Sequence, residues 1–276
     1  RKTVASAERS YGLEDIRLVP SLEALASIYR AEAQYARAEP LYQRALTLDE
    51  KALGADHPKV AADLNNLADV YLGQGDYERA EPLYQRALAA REKTLGLNHP
   101  EVAAALNKMA LFYFTQDKYA QAKPLYQRAL AIQEKALGAD HPKVAATLNK
   151  LGALYGIRGQ YAQGEQVFKR VLAIDEKNLD PDNPELALSL NNLAGIYLKR
   201  GQYARAESLF KRALEIKEKA LGSDNPGTAV CMNNLALLYL NQGQYAKAEP
   251  LFRRAVEIDE KTLGSDHPDL AVSMSN

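Results

Sequence analysis

Proline recurs in this chain every 42 residues, at Pro58, Pro100, Pro142, Pro184, Pro226 and Pro268. Glycine keeps the same interval at Gly12, Gly54, Gly96, Gly138, Gly222 and Gly264, with Asp180 standing in once. A fixed interval of this length marks an array in which each unit buries its apolar face only against its neighbours. Each unit reads glycine, two or three polar residues, proline, then a long periodic run. Glycine suits the end of one helix and proline the first turn of the next. The polar residues between them, such as Asp56-His57 or Asp182-Asn183, suit capping of that next helix.

Two helices fit in each unit. In the second, Val60, Leu64, Leu67, Ala68 and Tyr71 fall on one helical face. Gly73-Gln74-Gly75-Asp76 breaks the pattern. Tyr77, Ala80, Leu83, Tyr84, Ala87 and Leu88 then carry a second stripe. The spacing predicts helix A over 58–73 and helix B over 77–95, with Pro82 in the early turns of B. Aromatic residues hold three registers at the same period: one through Tyr29, Tyr71 and Tyr113, one through Tyr35, Tyr77 and Tyr119, and one from Tyr42, Tyr84 and Tyr126 to Phe168, Phe210 and Phe252. All three read as packing positions. Small residues recur opposite them at Ala38, Ala80, Ala122, Gly164, Ala206 and Ala248, and a large residue facing a small one lets helices approach closely. The chain is therefore an all-α solenoid of helix hairpins.

Composition narrows the function classes. Lys+Arg and Asp+Glu balance at 35 each, so there is no general pull toward nucleic acid or acidic membranes. The single cysteine, Cys231, excludes an internal disulfide framework and fits a reducing, cytoplasmic setting. No run of apolar residues is long enough to span a membrane.

The set Leu64, Leu67, Ala68, Tyr71, Ala80, Tyr84 and Ala87 resembles the tetratricopeptide-repeat signature. Leu64-Asn65-Asn66-Leu67-Ala68, with Glu92-Lys93-Thr94-Leu95-Gly96 and His99-Pro100, resembles the long repeats of kinesin light chains. The resemblance implies a right-handed superhelix of antiparallel hairpins, with A helices lining a concave groove. It covers a single array over 1–276: units of approximately 16–57, 58–99, 100–141, 142–183, 184–225 and 226–267, and partial units 1–15 and 268–276. The first helix A, roughly 16–31, is atypical, with Ile16 in place of proline. An array that starts and stops inside units is expected to continue in a longer protein.

Groove-facing positions are then the candidate peptide-binding residues. One ladder is Asn65, Asn107, Asn149, Asn191 and Asn233; beside it runs Asn66, Lys108, Lys150, Asn192, Asn234 and Asn276. Asparagine is a middling helix former, and its amide both donates and accepts. Such a row can bind the backbone of an extended peptide, the use that the resemblance implies. It can equally bridge adjacent A helices. Specificity is expected where units differ: Ser27, Asp69, Leu111, Ala153, Gly195 and Leu237 in one register, Arg30, Leu72, Phe114, Gly156, Leu198 and Leu240 in the next. Ala153, Gly156 and Gly195 leave room for a bulky group, and Lys108, Lys150 and Lys199 lie nearby. The expectation is a central apolar pocket ringed by lysines that takes a peptide with a bulky apolar residue beside acidic ones.

Catalysis has no footing. His57, His99, His141 and His267 share one loop position and are spread along the array, about 10 Å per helix layer, so they do not converge on a metal. Cys231 has no histidine in register, and no phosphate loop or nucleophile elbow occurs. No enzyme activity and no cofactor or metal are expected. Lysines closing each helix B, such as Lys51 and Lys93, complement the helix end. An arginine ladder, Arg44 to Arg254, suits ion pairing between repeats. The alternatives to peptide binding are an array that self-associates end to end and the sensor arm of a larger signalling protein.

Overall fold

Glycine follows four of the B helices, and its backbone shows why. Gly54, Gly96, Gly138 and Gly222 take φ of 83–90° and give their N–H groups to glutamates four residues earlier, a conformation costly for residues with a Cβ. The next helix is capped as expected: His57, His99 and His141 accept through Nδ1 from the backbone N–H two residues on, at 3.1–3.2 Å. Asn225 does so through Oδ1 at 2.8 Å.

The computed structural model describes residues 2–263, with side chains over 4–262. The readings on Gly264, His267, Pro268 and Asn276 lie outside that range. Thirteen α-helices occur among the described residues, in two compact units. Unit 1, 1–138, holds α1 (Lys2–Tyr11), a 3₁₀ turn at Ile16–Leu18, α2 (Val19–Ala31), α3 (Tyr35–Leu53), α4 (Pro58–Gly73), α5 (Tyr77–Leu95), α6 (Pro100–Phe114) and α7 (Tyr119–Leu137). Unit 2, 139–276, holds α8 (Pro142–Ile157), α9 (Tyr161–Asn178), α10 (Leu186–Lys199), α11 (Tyr203–Leu221), α12 (Pro226–Asn241) and α13 (Tyr245–Leu263). Within each unit, helices pack on those before and after them in sequence. Helices α4 and α5 match the predicted A and B spans.

Asp180 does not copy the glycines. Its unit ends helix B early: α9 stops at Asn178, whose side-chain amide donates to the Ile174 and Asp140 carbonyls at 2.7 and 2.9 Å. The following helix starts late, at Leu186 rather than at Pro184.

The hairpin turns from A to B need one left-handed residue each. Glycine supplies it at Gly75, Gly159, Gly201 and Gly243, whereas Ala33 and Asp117 are forced to φ of 54° and 58°. For alanine that conformation costs about 1 kcal/mol. Ala33→Gly is therefore expected to raise stability by about 0.5–1 kcal/mol; a urea midpoint at or below that of the wild type contradicts this.

Tyr29, Tyr71, Tyr113, Tyr155, Tyr197 and Tyr239 are buried, as are Ala38, Ala80, Ala122 and Ala206. The second tyrosine register packs less completely, with Tyr35, Tyr119, Tyr161 and Tyr203 half-buried. Tyr77 is 40% and Tyr245 67% exposed. These residues open each B helix, where the ring reaches only the rim of the stack. Tyr35, for instance, lies over Gly73, where a Cβ would come within 2.4 Å of the ring. The arginine ladder pairs as expected, Arg86 with Glu50 and Arg128 with Glu92 at 2.5 Å, Arg212 with Glu176 at 2.6 Å.

Candidate functional site in the second unit

The A helices of unit 2 differ from one another at two neighbouring registers, and the difference leaves a hole. On α8 and α10 the first register holds Ala153 and Gly195, while α12 carries Leu237. In the second register α8 has Gly156 where α10 has Leu198. Together these residues border a cavity of about 610 Å³. A Cβ placed on Gly195 meets nothing within 4 Å, and one on Gly156 meets only Ile196 Cδ1 at 3.5 Å. The space is thus a property of the side chains and not of a distorted backbone.

Its floor is aromatic. Phe168 and Phe210, from the B helices α9 and α11, line it from below. One layer of unit 1 has a polar pair at these positions: the Tyr84 hydroxyl donates to Asp69 Oδ1 at 2.6 Å. Unit 2 replaces tyrosine by phenylalanine and aspartate by alanine or glycine at the same two positions, in two consecutive layers. Loss of both polar groups makes the hole apolar. Leu188 and Val230, 58% and 56% exposed, extend the apolar rim.

The asparagines divide by register. Asn65 and Asn107 are buried at 4% and 9% exposure, and Asn149, Asn191 and Asn233 are half-buried. In the second register Asn66, Lys150, Asn192 and Asn234 are half-buried and Lys108 is exposed. Asn192 Nδ2 donates to Asn149 Oδ1 at 3.2 Å, and Asn234 Nδ2 to Asn191 Oδ1 at 3.4 Å. Asn191 in turn donates to Cys231 Sγ at 3.2 Å. Adjacent A helices are therefore bridged by their amides. Asn191, Asn192 and Asn234 also line the cavity, so each bridge holds an amide group at its edge.

The lysine ring is not assembled as expected. Lys199 stands exposed at the cavity; Lys150 is not part of its lining. Lys108 and Phe114 belong to unit 1 and have partners there. Lys108 donates to Asp69 Oδ2 at 2.7 Å, an oxygen that also accepts from Arg30 at 2.9 Å. Phe114 packs edge-on against Tyr119, centroids 5.5 Å apart. The sequence pattern missed Asp69 as the acceptor that draws Lys108 away, because 39 residues separate the pair. It also missed Phe168 and Phe210; their signal was the loss of the tyrosine hydroxyl in the layers where Ala153 and Gly195 occur.

Among the described residues no cluster of His, Cys, Asp or Glu could hold a metal. Cys231 is buried, and burial pushes its thiol up, away from the reactive thiolate. No helix among the described residues is long and apolar enough to cross a membrane.

Sequential helix hairpins with an A-helix face carrying an apolar hole define a repeat scaffold. The tetratricopeptide-repeat family profile matches residues 18–93, 101–177, 145–219, 185–261 and 232–276, and a second profile of the same description matches 65–136. The chain belongs to the tetratricopeptide-repeat family. Its repeats are of the kinesin-light-chain-like type. A structure of nearly identical TPR-like repeats, from a Podosopora anserina protein described as a kinesin light chain, is 29% identical. That match covers 75% of this chain and 98% of the other, with a TM-score of 0.66. BtubC (BKLC) from P. vanneervenii is 23% identical over 91% of this chain and 94% of the other, with a TM-score of 0.69. Pseudomonas aeruginosa PilF is 19% identical over 90% and 93%, with a TM-score of 0.58. The last two show shared fold only. A search among curated proteins returned no match. Tetratricopeptide repeats are generally non-catalytic scaffolds for protein–protein interaction.

Proposed function

We propose that the A-helix face of unit 2 binds an extended peptide segment of a partner protein, with one bulky apolar side chain seated in the cavity. The carrying observation is the pairing of Ala153 and Gly195 with Phe168 and Phe210, which opens about 610 Å³ of apolar space beside amide groups. A volume of this size, mostly apolar with a few convergent polar groups, suits a ligand side chain. Asn192 and Asn234 offer their remaining donor and acceptor capacity to the peptide backbone, so register is set without dictating sequence. Lys199 favours an acidic residue next to the apolar anchor. Asn149, Lys150 and Asn233, also of unit 2, serve its packing and any extension of the peptide within that unit, while Asn65, Asn66, Asn107, Lys108 and Phe114 belong to unit 1 and are left to its own packing and pairing. Kinesin-light-chain-like repeats support the reading by resemblance.

The test is a peptide array in which one tryptophan or leucine sits among Glu and Asp, followed by fluorescence polarisation on the best binders. Gly195→Leu fills the cavity from a position with open space and replaces a poor helix former by a good one. Affinity is expected to fall about 100-fold, the scale of one buried anchor, with the unfolding midpoint unchanged or higher. An array without binders sinks the reading, and so does binding that survives both Gly195→Leu and Lys199→Glu.

A further inference from the structure

The lysine near the end of each B helix corrects one expectation and opens another. It does more than face the helix terminus. Lys51, Lys177 and Lys261 reach back 37 residues to a loop carboxylate of the preceding hairpin: Glu14 at 2.7 Å, Asp140 at 2.5 Å and Asp224 at 2.9 Å. Lys93 and Lys219 likewise bind Asp56 and Asp182. Lys135 keeps the position but not the bond. The residue 37 back from it is Asn98, and Lys135 makes neither a hydrogen bond nor an ion pair among the described residues.

The neighbouring loop position changes in the same unit. Where four other loops have Ala55, Ala139, Pro181 or Ser223, this one has Leu97, 59% exposed; the first loop shares the leucine, as Leu13, but beside a Glu14 that holds Lys51. Leu97, Asn98 and Lys135 border a cleft of about 570 Å³ together with Ile132 and Ala131 of α7. Arg128 and Glu92 also line it, and their charges are taken up by pairing with each other. The cleft therefore presents one unpaired ammonium beside apolar surface.

An exposed leucine or an unpaired surface lysine is ordinary taken alone. Here the leucine accompanies a lysine whose five counterparts each hold a carboxylate, and no other loop combines the two, since the leucine of the first loop stands beside the Glu14–Lys51 pair. We propose that this cleft of unit 1 docks an acidic residue of a partner polypeptide, with an apolar neighbour packed on Leu97 and Ile132. The partner carboxylate takes the place that Asp56, Asp140, Asp182 and Asp224 occupy in the other loops. One free charge calls for one carboxylate, and Leu97 supplies the non-polar contact beside it. The site is separate from the cavity of unit 2 and does not rest on the peptide reading made there.

The test selects displayed random peptides of about 12 residues on the full chain carrying Gly195→Leu, which fills the other site. Enriched peptides are expected to carry Asp or Glu within two residues of Leu, Ile or Phe. Their binding weakens with salt. It weakens roughly tenfold or more on Asn98→Asp, which gives Lys135 an internal carboxylate, and on Leu97→Ala. Circular dichroism checks that both variants keep the fold. Absence of such peptides, or equal binding to the Asn98→Asp chain, overturns the proposal. A Lys135-dependent dimer in sedimentation overturns the choice of a foreign partner.

Discussion

Replacing Lys59 with methionine is expected to cost unit 1 about 2–4 kcal/mol at neutral pH. The Lys59 ammonium sits among three carboxylates: Glu23 from α2, Asp49 from α3 at 3.4 Å and Asp63 from its own helix at 3.0 Å. Asp63 is 0% and Asp49 2% exposed, so removing the cation strands buried negative charge. The figure is set below that for a fully buried pair because the Lys59 side chain is 36% exposed. Burial pushes the Asp63 carboxyl up to about 8, and hydrogen bonding with Glu23 and Asp49 adds to the rise. Oδ2 of Asp63 and Oδ2 of Asp49 find no donor in the structure. A proton on Asp63 relieves that.

The sign of the pH dependence follows. Folded Asp63 keeps a proton that the unfolded chain releases above pH ~4. Its contribution is complete below that pH and is lost as pH rises toward 8. Asp15 and Asp76, held low by hydrogen bonds from Arg17 and Arg79, act only below pH ~4, so they do not oppose the Asp63 effect between about pH 5 and 8. Stability of unit 1 is expected to fall across that range, Lys59→Met to steepen the fall, and Asp63→Asn to flatten it. Amide exchange in α3 and α4, read at three pH values, measures this. A flat wild-type profile removes the shared-proton account.

This cluster also shows where sequence reading stops. Hairpin boundaries, caps and packing registers were legible because each repeats at a fixed interval and answers a local demand: a left-handed backbone at Gly54, an acceptor at His57, a small residue at Ala80. The acid cluster is not periodic. Asp63 corresponds to Ala105, Thr147, Ser189 and Cys231 in the other units, and its meaning depends on what the preceding B helix presents. The same holds at the candidate site. Ala153, Gly156 and Gly195 stood out as small residues in a variable register, so the hole was legible. Its floor was not, because Phe168 and Phe210 sit in a register that reads as uniform core until their Tyr84 counterpart is seen bonded to Asp69. The expected lysine ring failed for a related reason. Charge along a helix face indicates only which residues are near the surface, and Asp69 decides where Lys108 points.

Gly152 sharpens the contrast between pattern and packing. Five other units place alanine at this position: Ala26, Ala68, Ala110, Ala194 and Ala236. By pattern, Gly152→Ala restores the repeat and gains about 1 kcal/mol of helix propensity. By packing it fails, because a Cβ there lies 2.7–2.8 Å from Cζ and Cε1 of Phe168. That ring is buried, and overpacking of this kind costs about 1–3 kcal/mol. Net destabilisation of about 1–2 kcal/mol is expected, the difference of those two effects, along with weaker peptide binding as Phe168 is pushed into the cavity it floors. Gly195→Ala, on the neighbouring A helix, meets no atom within 4 Å and is expected to gain about 0.5–1 kcal/mol. Gly164→Ala falls between them, since its contact at 3.1 Å is the mobile end of Ile196. Urea midpoints of the three variants decide the matter: if Gly152→Ala and Gly195→Ala stabilise alike, the phenylalanine floor is not held by its packing, and the cavity loses its physical basis.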